Sequence, residues 1–157
     1  MQKHHEYPSE VSADTPVEAI MYRQPIAVRE GETLIATAAR MASAKVRHAC
    51  VVDASGRVAG IISDRDVRHT LGDVRRGLVP EHVPEHLHRV TAGHVMMPKP
   101  QCVRQRASIR EVLAILVSPE HLGALPVIDD DDRLCGIVSY VDLLQVLAGV
   151  FGVATSR

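Results

Sequence analysis

The sequence predicts a mixed α/β (α+β) fold built from two copies of one unit. The phrase Gly60-Ile61-Ile62-Ser63-Asp64-Arg65-Asp66 returns 76 positions later as Gly136-Ile137-Val138-Ser139-Tyr140-Val141-Asp142. Around each copy, short β-branched runs alternate with stretches whose apolar residues recur at helical spacing. Apolar residues make up 46% of the 157-residue chain but aromatics only 3%, so the core must consist of aliphatic side chains packed between strands and helices.

The two halves align along most of their length. Asp53, Arg57 and the phrase match Asp129, Arg133 and its copy at an offset of 76, whereas Met21, Pro25, Val28 and Thr33 match Met96, Pro100, Val103 and Ser108 at an offset of 75. One residue is therefore gained in the second half, in the loop around Ser118 to Gly123, where length changes are tolerated.

Each half reads as one series of elements. Thr15-Pro16-Val17-Glu18 predicts a helix start with Thr15 as cap, proline at the first helical position and a capping-box acid, and Thr91 can cap the matching helix. Strands are expected at 26–28 and 102–103. Amphipathic helices follow from Leu34 and from Ile109, the second opened by the capping box Ser108-Ile109-Arg110-Glu111. Hairpins come next, with strands 49–53 and 58–63 joined by Ala54-Ser55-Gly56, and strands 124–129 and 134–139 joined by Asp130-Asp131-Asp132. Final helices are expected at 64–70 and 140–148. The organisation is thus a flexible leader (1–14), repeat 1 (15–70), a charged linker with Pro80 and Pro84 (71–90), repeat 2 (91–148) and a tail (149–157).

Several function classes are not expected. A net charge of −1 gives neither DNA nor membrane an electrostatic footprint. The leader lacks the apolar core of a signal peptide, and no segment holds 18 uninterrupted apolar residues. Cys50, Cys102 and Cys135 form no CxxC pair and read as reduced thiols, so a soluble cytoplasmic protein is expected. His82, His86 and His88 lie close together, but Pro84 interrupts the helix that would align them, and no metal site is expected. The serines have no histidine at a motif-defined offset and no phosphate-cradling glycine loop occurs, so the chain does not read as an enzyme.

The repeated phrase suits ligand chemistry. A glycine allows close backbone approach, and each serine falls where strand becomes helix, among first-turn amides that favour an anion. Asp66 and Asp142, three residues on, add a carboxylate suited to a ribose diol. The same Ser-x-x-Asp spacing equally describes a capping box that only starts a helix.

These residues resemble the paired cystathionine β-synthase domains, known as CBS pairs or Bateman modules, over about Thr15 to Leu147. Leu125-Pro126-Val127-Ile128-Asp129, then Arg133 to Ser139 and Asp142, look like the family pattern, while the first half departs from it at Cys50, where the family has proline. The resemblance implies β-α-β-β-α repeats related by a pseudo-twofold axis, with clefts between them for adenosine-containing ligands: AMP, ADP, ATP, S-adenosylmethionine or NAD. It assigns Asp66 and Asp142 to ribose and Ser63 and Ser139 to phosphate or ribose. Ile26, Val28, Ala49, Val51, Ile62, Val103, Leu125, Val127 and Val138 become adenine neighbours. Arg65, where Tyr140 and Val141 occupy the equivalent stretch of the second phrase, would draw a polyanionic ligand to the first cleft. No cofactor is required. The implied role is a ligand sensor that forms a homodimer and signals to an effector protein. The alternative is a ligand-free adapter for protein–protein interaction whose phrases only cap helices.

Overall fold

The computed structural model describes residues 10–72, 84–118 and 123–153. The start of the leader with His4 and His5, most of the linker with His82, the loop with His121 and the end of the tail lie outside the described residues.

The chain divides into two compact units. One holds the described residues between Pro25 and Pro100. In chain order it contains strand β1 (Ala27–Val28), helix α1 (Leu34–Ala44), β2 (His48–Val52), β3 (Val58–Ser63), α2 (Asp64–Leu71), a 3-10 turn (Glu85–Arg89), α3 (Ala92–Val95) and β4 (Met97–Pro98). Its sheet has the order β1-β2-β3-β4, with the first pair parallel and the others antiparallel. The other unit joins residues up to Gln24 with those from Gln101 onward. It holds a 3-10 turn (Val17–Ala19), β5 (Val103–Arg104), α4 (Ile109–Leu116), β6 (Ala124–Ile128), β7 (Leu134–Ser139) and α5 (Tyr140–Val150), with the sheet order β5-β6-β7.

Each unit therefore combines the hairpin of one sequence half with the leading segment of the other. Met97 and Pro98 pair antiparallel with Ile61 and Gly60. At the matching place Tyr22 and Ile137 exchange both backbone hydrogen bonds, at 2.8 and 3.0 Å. The short strand β4 was not expected from sequence, because two residues carry no alternation to read.

The hairpins share their irregularities. Both shift register near the turn, between Val51 and Val52 and between Val127 and Ile128. In the first turn Asp53 Oδ1 accepts from the Ser55 hydroxyl at 2.6 Å and from the Ser55 and Arg57 amides at 2.8 and 3.0 Å. In the second, Asp129 Oδ1 accepts from the Asp131 and Arg133 amides, each at 2.9 Å. The left-handed position falls on Gly56 (φ 85°) in one and on Asp132 (φ 63°) in the other, where Arg104 reaches the Asp132 carboxylate at 2.6 Å.

Two aliphatic cores hold the units. Val28, Leu34, Ala38, Met41, Val51, Ile62, Val67 and Leu71 form one; Val17, Ile20, Met21, Val112, Leu125, Val127, Val138, Leu143 and Val146 form the other. Thr37 is fully buried, and its hydroxyl has no hydrogen-bond partner among the described residues.

Helix starts follow the sequence with one correction. Ser108 and Glu111 form the expected capping box, and Thr91 forms one with His94. Thr15, however, does not cap: the turn begins after Pro16 without a side-chain cap, and Thr15 Oγ1 instead accepts from the Ser12 amide at 2.9 Å. A 3-10 turn of three residues offers too short a row of free amides to reward that cap. Cys50, which stands where the second half has Pro126, lies in an ordinary strand and donates its amide to the Ile26 carbonyl at 2.8 Å, a bond that a proline cannot make.

Candidate functional site

Each phrase runs off the end of a hairpin strand into a helix. Ser63 keeps an extended backbone (φ −100°, ψ 162°) and becomes the N-cap of α2; Ser139 does the same for α5 at φ −118°, ψ 166°. The helices are seated by Val67 and Leu71 and by Leu143 and Val146, which turn their first-turn polar groups away from the cores.

The serine and aspartate of each phrase bind one another. Asp66 Oδ2 accepts from the Ser63 amide at 2.8 Å and the Ser63 hydroxyl at 2.7 Å, while Ser63 Oγ accepts from the Asp66 amide at 3.3 Å. Asp142 Oδ2 accepts from the Ser139 amide and hydroxyl at 2.7 and 2.6 Å, and Ser139 Oγ from the Asp142 amide at 3.4 Å. All four side chains are half-buried. Both carboxylates lie in the first turn, where the helix dipole favours negative charge.

The glycines serve the fold. A Cβ on Gly60 would collide with the Met96 thioether and come within 2.9 Å of Met96 Cβ. One on Gly136 would collide with Met21 Sδ and lie 3.0 Å from its Cγ. The close approach expected at these glycines is thus made by a methionine of the leading segment, a partner with no local signal in the sequence.

The surroundings differ in charge. At the first junction Asp64 lies 3.4 Å from both Arg47 and Arg68, and Arg65 is exposed without a polar partner among the described residues. The equivalent positions of the second half are Tyr140 for Asp64, Gly123 for Arg47, Val141 for Arg65 and Leu144 for Arg68. Tyr140, Val141 and Leu144 are exposed there. Sequence reading singled out Arg65 alone; Arg47 joins it because the Asp64 amide donates to the Arg47 carbonyl at 2.8 Å, a tertiary bond that no motif announces.

The apolar candidates sit mostly in the cores. Ala49, Val51, Ile62, Leu125, Val127 and Val138 are fully buried, Val28 and Val103 nearly so, and only Ile26 is half-buried. No group of three potential metal ligands occurs among the described residues; His86 and His88 are exposed. Cys50, Cys102 and Cys135 form no disulfide, and burial pushes the Cys102 and Cys135 thiols above their ordinary value, which disfavours the reactive thiolate. No helix among the described residues is long and apolar enough to cross a membrane.

Comparison with known proteins agrees with this architecture. The CBS domain family model matches residues 17–73 and 92–149. An uncharacterized 33.4 kDa protein from Thermofilum pendens is 34% identical over 110 residues, covering 68% of this chain but 36% of the relative, so the chain spans about a third of that protein. Among solved structures, the CBS domain pair of protein MJ0100 in complex with 5′-methylthioadenosine and S-adenosyl-L-methionine superposes with a TM-score of 0.70 at 20% identity, over 87% of this chain and 98% of that one. The cytosolic domain of the magnesium channel MgtE in complex with ATP gives 0.65 at 28% identity, over 85% of this chain and 49% of that one.

Proposed function

The chain belongs to the CBS domain family, and on that premise we propose that it is a regulatory module that binds adenosine-containing ligands through its two phrases. AMP, ADP, ATP, S-adenosylmethionine and NAD are the candidates, none of them a required cofactor. Occupancy is passed on through a change of shape to an effector protein. The observation that carries this reading is the recurrence, at two strand-to-helix junctions, of a serine hydroxyl and an aspartate at a helix start. Solved members of the fold hold adenosine compounds.

In this reading Asp66 and Asp142 receive the ribose hydroxyls and Ser63 and Ser139 the phosphate or ribose. Ile26 is the apolar candidate best placed to meet adenine, since it is not sealed in a core. The phrases would not be equivalent. Three arginines stand at or beside the first, and the equivalent positions of the second carry none, so a phosphate-rich ligand favours Ser63 and Asp66 through charge-assisted contacts. A less charged adenosine compound suits the second.

Calorimetric titration of the protein with ATP, ADP, AMP, S-adenosylmethionine and NAD tests this. Asp66→Ala should abolish the site preferring ATP and ADP, and Asp142→Ala the other. A bound ligand at 100 times its Kd should stabilise the fold by about 2.7 kcal/mol.

One observation favours a second reading, the ligand-free adapter. Both Ser–Asp pairs are complete capping boxes, which gives the residues a role without any ligand. If no compound of the panel shifts the melting transition, and both aspartate variants lose only stability, this reading replaces the first. In either case α5 exposes Leu144, Leu147 and Val150, which with Phe151 just beyond its end make an apolar face suited to a second copy of the chain. Sedimentation analysis tests the homodimer, which Leu144→Lys should dissociate.

A further inference from the structure

Each phrase is gripped just upstream of its serine by a leading segment distant in sequence. Met21, 1% exposed, presses its thioether onto Gly136, and Tyr22 exchanges both backbone hydrogen bonds with the next residue, Ile137. Met21 also belongs to the core that includes Leu143 and Val146 of α5, so one side chain contributes to seating both the strand before the cap and the helix after it. The other unit repeats this arrangement. Met96 lies on Gly60, Met97 pairs with Ile61, and the Lys99 amide donates to the Ala59 carbonyl at 2.9 Å.

We propose that Met21 and Met96 are positioning residues for the two phrases, each holding a glycine so that the strand end presents its serine and aspartate in one fixed orientation. The binding part of this inference rests on the nucleotide reading above. The physical reason is that β3 and β7 end at their junctions, where their last residue has become a helix cap. A strand end paired on one side only can twist about its partner. A second edge partner, together with a side chain packed against a bare Cα, removes that freedom. Methionine suits the task because it is unbranched and can lie flat along a backbone that offers no Cβ. A carboxylate that wanders by about 1 Å loses much of its worth in binding.

The test uses the full chain with Met21→Ala, Met21→Leu, Met96→Ala and Met96→Leu. Amide hydrogen exchange is read at Ser63, Asp66, Ser139 and Asp142. The Kd for ATP is read with the opposite phrase disabled by its aspartate-to-alanine change. Met21→Ala should speed exchange about tenfold at Ser139 and Asp142 while sparing Ser63 and Asp66, and weaken ATP at its own phrase about tenfold. Met96→Ala should reverse the pattern, and each leucine variant should restore the native values. Alanine variants that melt earlier yet leave exchange at all four amides and ATP affinity unchanged would overturn the proposal, leaving the methionines as packing alone. Should Met21→Ala fail to fold, Met21→Ala with Gly136→Ala refills part of the space, and protection at Ser139 should return. A native protein that binds no ATP defeats the nucleotide reading for that ligand, while the exchange pattern still decides the positioning role.

Discussion

Ser139 and Asp142 close a reciprocal cap in which one carboxylate oxygen, Asp142 Oδ2, takes both the amide and the hydroxyl of Ser139, at 2.7 and 2.6 Å. Ser63 and Asp66 form the same pair. A cap of this kind contributes about 1 kcal/mol. Ser63→Ala and Ser139→Ala should each lower the unfolding free energy by about that amount in urea denaturation. A loss of several kcal/mol from either would mean that the serine holds more than a helix start.

The glycines of the phrases should tolerate no side chain. Gly136→Ala places a methyl group against Met21, which is buried on all sides and cannot swing away, so a loss of about 1–3 kcal/mol is expected. Gly60→Ala should cost at least as much, because the new methyl group would lie 2.9 Å from Met96 Cβ, an atom that no rotation of the Met96 side chain can move away. Thermal melts of the two variants check the order; a smaller loss from Gly60→Ala would show that the backbone at Met96 yields.

Thr37 runs the other way. Its buried hydroxyl lacks a partner among the described residues, so Thr37→Val keeps the shape of the side chain and removes a desolvated polar group. The variant should gain about 1 kcal/mol in chemical denaturation. A neutral or destabilising result would point to a buried water serving the hydroxyl.

The first hairpin turn should weaken in acid. The Ser55 hydroxyl, followed by the Arg57 amide, holds the Asp53 carboxyl below its ordinary value. A group whose folded value is depressed contributes stability that is complete above the unfolded value and disappears as pH falls through the folded one. The contribution is therefore present at neutral pH and lost below about pH 4. Asp53→Asn should be less stable than the native chain at neutral pH, and the two should converge near pH 2. The effect is small, since the carboxylate is exposed and screened by solvent. A gap that stays constant with pH would place the role of Asp53 in shape rather than charge.

Much of this architecture is legible in the residues. The duplicated phrase marks the strand-to-helix junctions, Ser108 and Glu111 mark a helix start, and the β-branched runs around Val51 and Ile61 mark buried strands. What is not legible depends on residues far apart in the chain. The bond between Tyr22 and Ile137 leaves no local pattern, and neither does the space that Met21 needs at Gly136. The roles of Val51, Val127 and Val138 were ambiguous for another reason: a valine that fills a core and one that lines an adenine pocket are the same residue type. Only burial separates them, and these three are sealed in.

The two units differ in how they are written along the chain. One is an unbroken run from Pro25 to Pro100, while the other draws on both ends. During synthesis, the segment carrying Val17, Ile20 and Met21 precedes the Pro25–Pro100 unit, yet its partners in β7 and α5 are made only after that unit. Those apolar side chains must wait through the making of the whole intervening unit. Of the two units, the one whose making starts earlier is thus the one whose chain is completed later.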